Sequence, residues 1–231
     1  MKTISFCTWI KDRLDQFSIA LVRNLQTVGD DPSIEFCVVD IESEDGLEDW
    51  ISTISDPRVK YRKAEDQELH FAKMYNLGHK NATGDLVVTL DADNMIGEHF
   101  CPFLRNCSQL FPNGFVFHCW DGLHDSGLCG RIAMNRELFN AIGGYDEDLE
   151  PVGYQDLDLR DRARAMCGNF VSTIDPAIVG DAIRNTSEER MRKTSMSVED
   201  YQHMNSVNRY KSQMNIESGR LVANLPYREL D

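Results

Sequence analysis

The sequence predicts an α/β fold: a mostly parallel central sheet flanked by helices, followed by a C-terminal helical extension. Three observations carry that expectation. Strand and helix patterns alternate through the first 90 residues, the order that builds parallel sheets. Two segments, 34–40 and 84–90, are near-continuous apolar runs, the pattern of strands covered on both faces. The last 50 residues hold little beyond one long helical pattern.

In order, "TISFCTW" (3–9) reads as a strand and 11–25 as a helix, where Leu14, Phe17, Leu21 and Leu25 keep the 3-and-4 spacing of a buried stripe. "IEFCVVD" (34–40) is the second strand, 46–54 a short helix, "RVKYRK" (58–63) a short strand, 68–80 a helix and "GDLVVTL" (84–90) another buried strand. Beyond Asp93 the alternation loosens. "GFVFHCW" (114–120) and "GRIAMN" (130–135) read as strands at a sheet junction, with short helices at 136–141 and 155–166. The helix expected at 197–216 places Val198, Tyr201, Met204, Val207 and Met214 near helical spacing, as a packing face. One domain over 1–180 with an extension at 181–231 is the simplest organisation.

At 231 residues and 42% hydrophobic content the chain is long and apolar enough to bury a sizeable core. Its 38 acidic and 24 basic residues give a net charge of −14, which argues against a nucleic-acid duplex or an anionic membrane as main partner. The seven cysteines are scattered without metal-ligand spacing, so buried free thiols are expected rather than disulfides or zinc. The apolar run near the start is cut off by Lys11, Asp12 and Arg13, too soon for a signal segment or membrane span. The expectation is a cytoplasmic protein with no transmembrane segment, loose membrane association being left open. Sequons begin at Asn81, Asn106 and Asn185, accidental without a secretory signal.

Two constellations carry chemistry. In "VVTLDADNMI" (87–96) a buried strand runs into Asp91 and Asp93. Acids two apart share a face and repel unless something cationic sits there. Strand carboxyl ends are where parallel α/β sheets bind ligands, and Asp40 ends another strand on that edge. Hard carboxylate oxygens suit Mg²⁺ or Mn²⁺, with a diphosphate completing the coordination; ordinary solvated loop acids are the competing reading. In "IGGYDEDLEPVGYQDLDLRDRARA" (142–165), Gly153, Tyr154, Gln155 and Asp156 open a helix. Acids in a first turn are ordinary capping, or Asp156 faces the cleft as a general base while Gln155 hydrogen-bonds an acceptor hydroxyl.

The order of "LDADN", "GRIAMNRELFNAIGGYDEDL" and "GYQDLDL" resembles the family 2 glycosyltransferases of the GT-A (Rossmann-like) fold, with a galactosyltransferase-like C-terminal half, from about Ile4 to Ala165. The resemblance implies a metal-dependent hexosyltransferase of polysaccharide biosynthesis. It would take a UDP-sugar donor and a saccharide or lipid-linked saccharide acceptor, with inversion. It assigns Asp91 and Asp93 to Mn²⁺ or Mg²⁺ and Asp91 also to the nucleotide. Thr8 and Arg13 in the turn after the first strand, Asp40 as base reader, and Lys73 and Asn76 become nucleotide contacts. Asp156 is the implied base, with Gln155, Tyr154 and Gly153 on the acceptor.

Two departures stand out. Gln155 replaces the family's Glu, and "PAIVGDAIRN" lacks the late His that many relatives add to the metal. Asp181 is the candidate substitute, ahead of His118, His124 and His203. No GxxxxGK[ST], post-strand GxGxxG or GxSxG occurs, so kinase-type ATPases, dinucleotide oxidoreductases and serine hydrolases lack support. A sugar-phosphate nucleotidyltransferase needs a Gly-rich basic turn where "TWIKDRLDQ" stands, and a non-catalytic nucleotide-sugar-binding protein of the same fold is the other rival.

Overall fold

A computed structural model describes residues 1–64, 69–119, 127–185 and 196–224. Parallel strands β1 (Ile4–Ile10), β2 (Ile34–Ile41), β3 (Val59–Ala64) and β4 (Leu86–Thr89) form one half of a sheet ordered β3-β2-β1-β4-β7-β6-β8. β7 (Ile132–Asn135) runs antiparallel to β4, β6 (Val116–His118) antiparallel to β7, and β8 (Phe170–Val171) parallel to β6. The expected junction strands thus extend the one sheet. This is the mostly parallel, helix-flanked α/β architecture that the alternation implied.

β1, β2 and β4 are apolar at nearly every position because helices cover both faces. On one face α1 (Leu14–Val28) lays down Phe17 and Leu21, and Phe6 stacks on Phe36 at 5.1 Å. The helix starts three residues later than its pattern suggests. Asp12 takes a left-handed φ of 50°, and the Leu14 amide is capped by Asp45 Oδ2 at 2.7 Å.

α2 (Leu47–Ser52) and α3 (Phe71–His79) are shorter than expected at 46–54 and 68–80, Glu68 lying outside the described residues. α4 (Phe100–Leu110) has no counterpart in the sequence expectations. Its buried stripe is Phe100, Cys101, Leu104 and Cys107, in which cysteines do the work of aliphatics. Pro102 sits in the first turn, where a missing N–H is tolerated.

β5 (Asn94–Met95) and β9 (Asp181–Ala182) form a small antiparallel ladder that was likewise not expected. With α7 (Pro176–Val179) they fold the "PAIVGDAI" segment back against the end of the Asp-x-Asp motif. α5 (Arg136–Ala141) and α6 (Gln155–Cys167) match their patterns.

α8 (Val198–Glu217), capped by Ser197, matches in extent and in part of its face. Its buried residues are Asn208 and Ser212, while Val198 and Met214 are about half exposed. Tyr201, Met204 and Val207 of the expected stripe are half-buried, so the helix docks through a mixed face whose fully buried members are polar. Among the described residues no helix is long and apolar enough to cross a membrane.

Candidate active site

Parallel register sets the carboxyl ends of β2, β1 and β4 side by side, so Asp40 (paired with Ile10), Thr8 and Asp91 reach one edge. Asp40 is fully buried. Its Oδ1 accepts from the Ser43 amide at 2.8 Å and its Oδ2 from the Tyr61 hydroxyl at 2.7 Å. Thr8 donates to the Leu90 carbonyl at 2.7 Å, pinning the backbone just before Asp91.

Asp91 lies over Gly130, where an added Cβ would stand 2.3 Å from Asp91 Oδ2. Only glycine leaves that carboxylate its place. Asp91 Oδ1 accepts from the Tyr75 hydroxyl at 3.1 Å. Burial, and then repulsion from Asp93, push the Asp91 carboxyl up to about 7. Asp93 accepts from Asn94 Nδ2 (2.8 Å) and Asn185 Nδ2 (2.6 Å), with Arg13 Nη1 at 3.8 Å. Asn185 in turn accepts from Arg13 and from Gln16 at 2.6 Å, tying the segment after β9 to α1.

Beneath the pair Arg131, fully buried, donates to Asn94 Oδ1 at 2.8 Å. Asn24 of α1 grips the same turn, donating to the Asn94 carbonyl and accepting from the Ile96 amide, both at 2.9 Å. Tyr75, Asn94, Asn185, Arg131 and Asn24 escaped the sequence reading. Asn94 stood inside the quoted motif and Asn185 was noted only as a sequon; for Tyr75, Arg131 and Asn24 no local signal existed, because chain-distant packing brings them in.

Across the cleft, Asp156 is the second residue of α6. Its carboxyl is raised by burial and pulled back by His118 and by the Leu157 amide, which donates to Oδ1 at 2.8 Å. It is only partly covered, as a group that meets substrate must be. Between the acids stand Tyr75 and Tyr145, stacked at 4.7 Å, and both feel Asp91 and Asp156. The site thus gathers Asp91, Asp93 and Asp156 around an aromatic wall.

The other expected residues fall as follows. Gln155 is buried, its Nε2 donating to the Glu150 carbonyl at 2.9 Å, so its amide faces the protein. Tyr154 holds a left-handed φ of 69° as the α6 cap. Asn76 donates to the Tyr145 carbonyl and Glu147 Oε1 and accepts from the Tyr145 amide, which makes it a strut for the 145–147 loop. Lys73 is half-buried on α3 beside His70.

Asp181 is exposed and accepts from the Ala182 amide. Among the described residues no group of three His, Cys, Asp or Glu is placed to hold a metal ion, so Asp91, Asp93 and Asp181 are not a ready-made triad. His118 is engaged by the Cys129 carbonyl at 2.6 Å and by Arg160, and His203 is exposed on α8. His124 lies outside the described residues.

The fold is the GT-A fold of glycosyltransferases. The structure resembles the mannosyltransferase PcManGT from Pyrobaculum calidifontis in complex with GDP-Man and Mn2+ (20% identity, 83% of this chain and 61% of that one, TM-score 0.62). It also resembles S. aureus TarS 1-349 in complex with UDP-GlcNAc (17% identity, 87% and 64%, TM-score 0.66). This chain spans just over three fifths of the length of those two. Residues 16–105 match the model described as Glycosyl transferase family 2. No curated protein sequence matches it.

Proposed function

We propose that the protein transfers a hexosyl group from a nucleoside diphosphate sugar, a UDP-sugar in the first instance, to a hydroxyl of a saccharide or lipid-linked saccharide. The observation that carries this reading is the grouping of Asp91, Asp93 and Asp156 around the Tyr75–Tyr145 wall at the carboxyl edge of the sheet. The GDP-Man and UDP-GlcNAc held by its structural neighbours support the donor class.

The Asp91–Asp93 pair suits a hard divalent ion. It offers carboxylate oxygens, and burial together with repulsion from Asp93 raises the Asp91 carboxyl, a cost that a cation would relieve. Asp91 and Asp93 would hold Mn²⁺ or Mg²⁺, which would supply positive charge to the departing diphosphate. Asp40 and Thr8 bound the nucleotide end of the cleft, with Arg13 and Lys73 as its cations.

At the other end, Asp156 takes the proton from the acceptor hydroxyl as that oxygen forms its bond to the anomeric carbon. The bond from that carbon to the diphosphate oxygen breaks, and its electron pair leaves with the nucleoside diphosphate. One displacement from the far face inverts the anomeric centre. Gly153, Tyr154 and Gln155 shape the acceptor end, Gln155 through its grip on the Glu150 carbonyl rather than by direct contact.

Asp156→Asn is the test. It keeps the shape and removes the base, so acceptor-dependent release of UDP should fall by about 10²–10⁴-fold, with calorimetric binding of UDP and Mn²⁺ unchanged. Undiminished turnover would remove Asp156 from this role. A wild-type protein that binds UDP but releases none from UDP-sugars under any divalent ion would instead be a binding protein of the same fold.

A further inference from the structure

α8 makes an unusual contact with the loop that delivers Asp156. Asn208, fully buried on that helix, places Nδ2 at 3.0, 3.3 and 2.7 Å from the carbonyls of Glu150, Val152 and Gly153. Its Oδ1 accepts from the Glu150 amide at 2.6 Å. One side chain thus reaches four backbone groups of a four-residue segment that forms no strand or helix of its own, its two N–H donors shared among three carbonyls.

One turn back along α8, Asn205 abuts Gly153. A Cβ there would lie 2.9 Å from the Asn205 Cβ, and Gly153 has a φ of +91°. The next residue, Tyr154, is held left-handed at +69° without being glycine, a strained conformation that persists only where its surroundings impose it. Gln155 closes the loop from the other side through the Glu150 carbonyl. Asp156 follows directly, so the direction in which it leaves the backbone is set by this turn.

We propose that α8 is a positioning element for acceptor activation and that Asn208 is its positioning residue. It acts through the 150–154 turn on Asp156 and touches neither donor nor acceptor. The proposal rests on Asp156 being the base and goes beyond it, because it makes the C-terminal helix part of the acceptor machinery. Phe71 of α3 meets the same loop through its amide, which donates to the Pro151 carbonyl at 2.8 Å. The nucleotide strands are covered by α1 and α3.

The experiment compares wild type with Asn208→Ala and Asn208→Ser in the full chain, after circular dichroism shows each to be folded. Three readouts are taken: amide hydrogen exchange, calorimetric binding of UDP with Mn²⁺, and UDP released from UDP-GlcNAc or GDP released from GDP-mannose with and without free sugars as acceptors. In Asn208→Ala, exchange at amides 153–158 should quicken while that at 86–89 stays slow. UDP binding should be unchanged, and the acceptor-stimulated part of release should fall about a hundredfold, as misplacement of a reacting group by about 1 Å does. Asn208→Ser, which keeps one donor and one acceptor, should recover part of both effects and serves if the alanine variant does not fold.

Unchanged exchange at 153–158, or quickened exchange with undiminished acceptor stimulation, overturns the proposal. So does a parallel loss of UDP binding, the mark of a merely structural role. A wild type without acceptor stimulation but with the expected exchange response would remove the base reading and leave Asn208 as the residue that holds the turn.

Discussion

The strands that carry Thr8, Asp40 and Asp91 are fixed by apolar packing: Phe6 on Phe36, Phe17 and Leu21 of α1 across them, and Phe100 from α4. The segment that carries Asp156 has an apolar cluster of its own through Ile142, Tyr145, Leu159 and Ala163, but its loops are fixed by buried polar groups. Asn76 braces the Tyr145–Glu147 loop, Asn208 the 150–153 turn, and Asn224 the carbonyls of Gly143 and Tyr145. Arg162, fully buried, joins Asp158 at 2.7 Å and donates to the carbonyls of Ile142 and Gly144. Apolar packing fixes a strand wherever volumes fit, with little demand on direction. A hydrogen-bonded side chain sets the orientation of a loop that has no ladder of its own, and its loss leaves buried groups unpaired.

The comparison is put under most strain at Arg162. Arg162→Met keeps much of the volume but leaves the Asp158 carboxylate buried without its cation and two carbonyls without donors. A loss of about 3–5 kcal/mol in chemical denaturation is expected. Adding Asp158→Leu removes the stranded charge and should return part of that loss. A single variant within about 1 kcal/mol of wild type would show that the acceptor side does not depend on its polar clamps.

The same contrast explains what could be read from the chain and what could not. The 3-and-4 spacing of Leu14, Phe17, Leu21 and Leu25 and the apolar runs of β2 and β4 are periodic, and periodicity is visible along a sequence. So was the motif Asp91–Asp93, because it stands at a strand end. α4 was missed because Cys101 and Cys107 supply half its stripe and Pro102 interrupts the pattern. The face of α8 was only partly legible: Tyr201, Met204 and Val207 are half-buried as their spacing suggests, Val198 and Met214 are not, and the fully buried residues are Asn208 and Ser212. A buried asparagine carries no periodic signature, and its partners lie more than fifty residues away, at Glu150 to Gly153. The third metal donor expected of Asp181 forms no three-residue cluster with the pair: β9 lies beside Asn94 and Met95, but Asp181 is exposed.

A middle-sized effect sharpens the contrast from the opposite edge of the sheet. Even the apolar half has polar anchors, among them Glu35, which accepts from the Thr83 amide at 2.7 Å and pairs with Ser5 and Lys60. Burial would raise its carboxyl, but the hydrogen bonds from Lys60, Ser5 and Thr83 outweigh burial and hold it at about 2, against 4.5 for the free group. A carboxyl depressed on folding contributes stability that is present above pH 4.5 and lost as pH falls from there toward 2. With Lys60 partly exposed, that contribution is about 2 kcal/mol. Glu35→Gln should therefore lower stability at pH 7 by about that much and flatten the acid limb of denaturation followed between pH 5 and 2. An acid limb identical to wild type would mean that the anchor is idle.

The smallest expected effect bears most directly on the apolar side. Leu21 is buried at the centre of α1, packed toward Phe17 and the β1–β2 face, and it lies one turn from Asn24, which grips the Asn94–Ile96 backbone. Leu21→Met conserves volume and adds an unbranched chain able to fill the same space. If apolar packing fixes position without fixing direction, the change should cost under about 1.5 kcal/mol and leave calorimetric binding of UDP with Mn²⁺ intact. The informative failure is a small stability loss joined to weaker nucleotide binding. It would mean that the pose of α1 reaches the Asp91–Asp93 turn through Asn24, and that the nucleotide side, like the acceptor side, takes its working geometry from a single buried amide laid over an otherwise tolerant core.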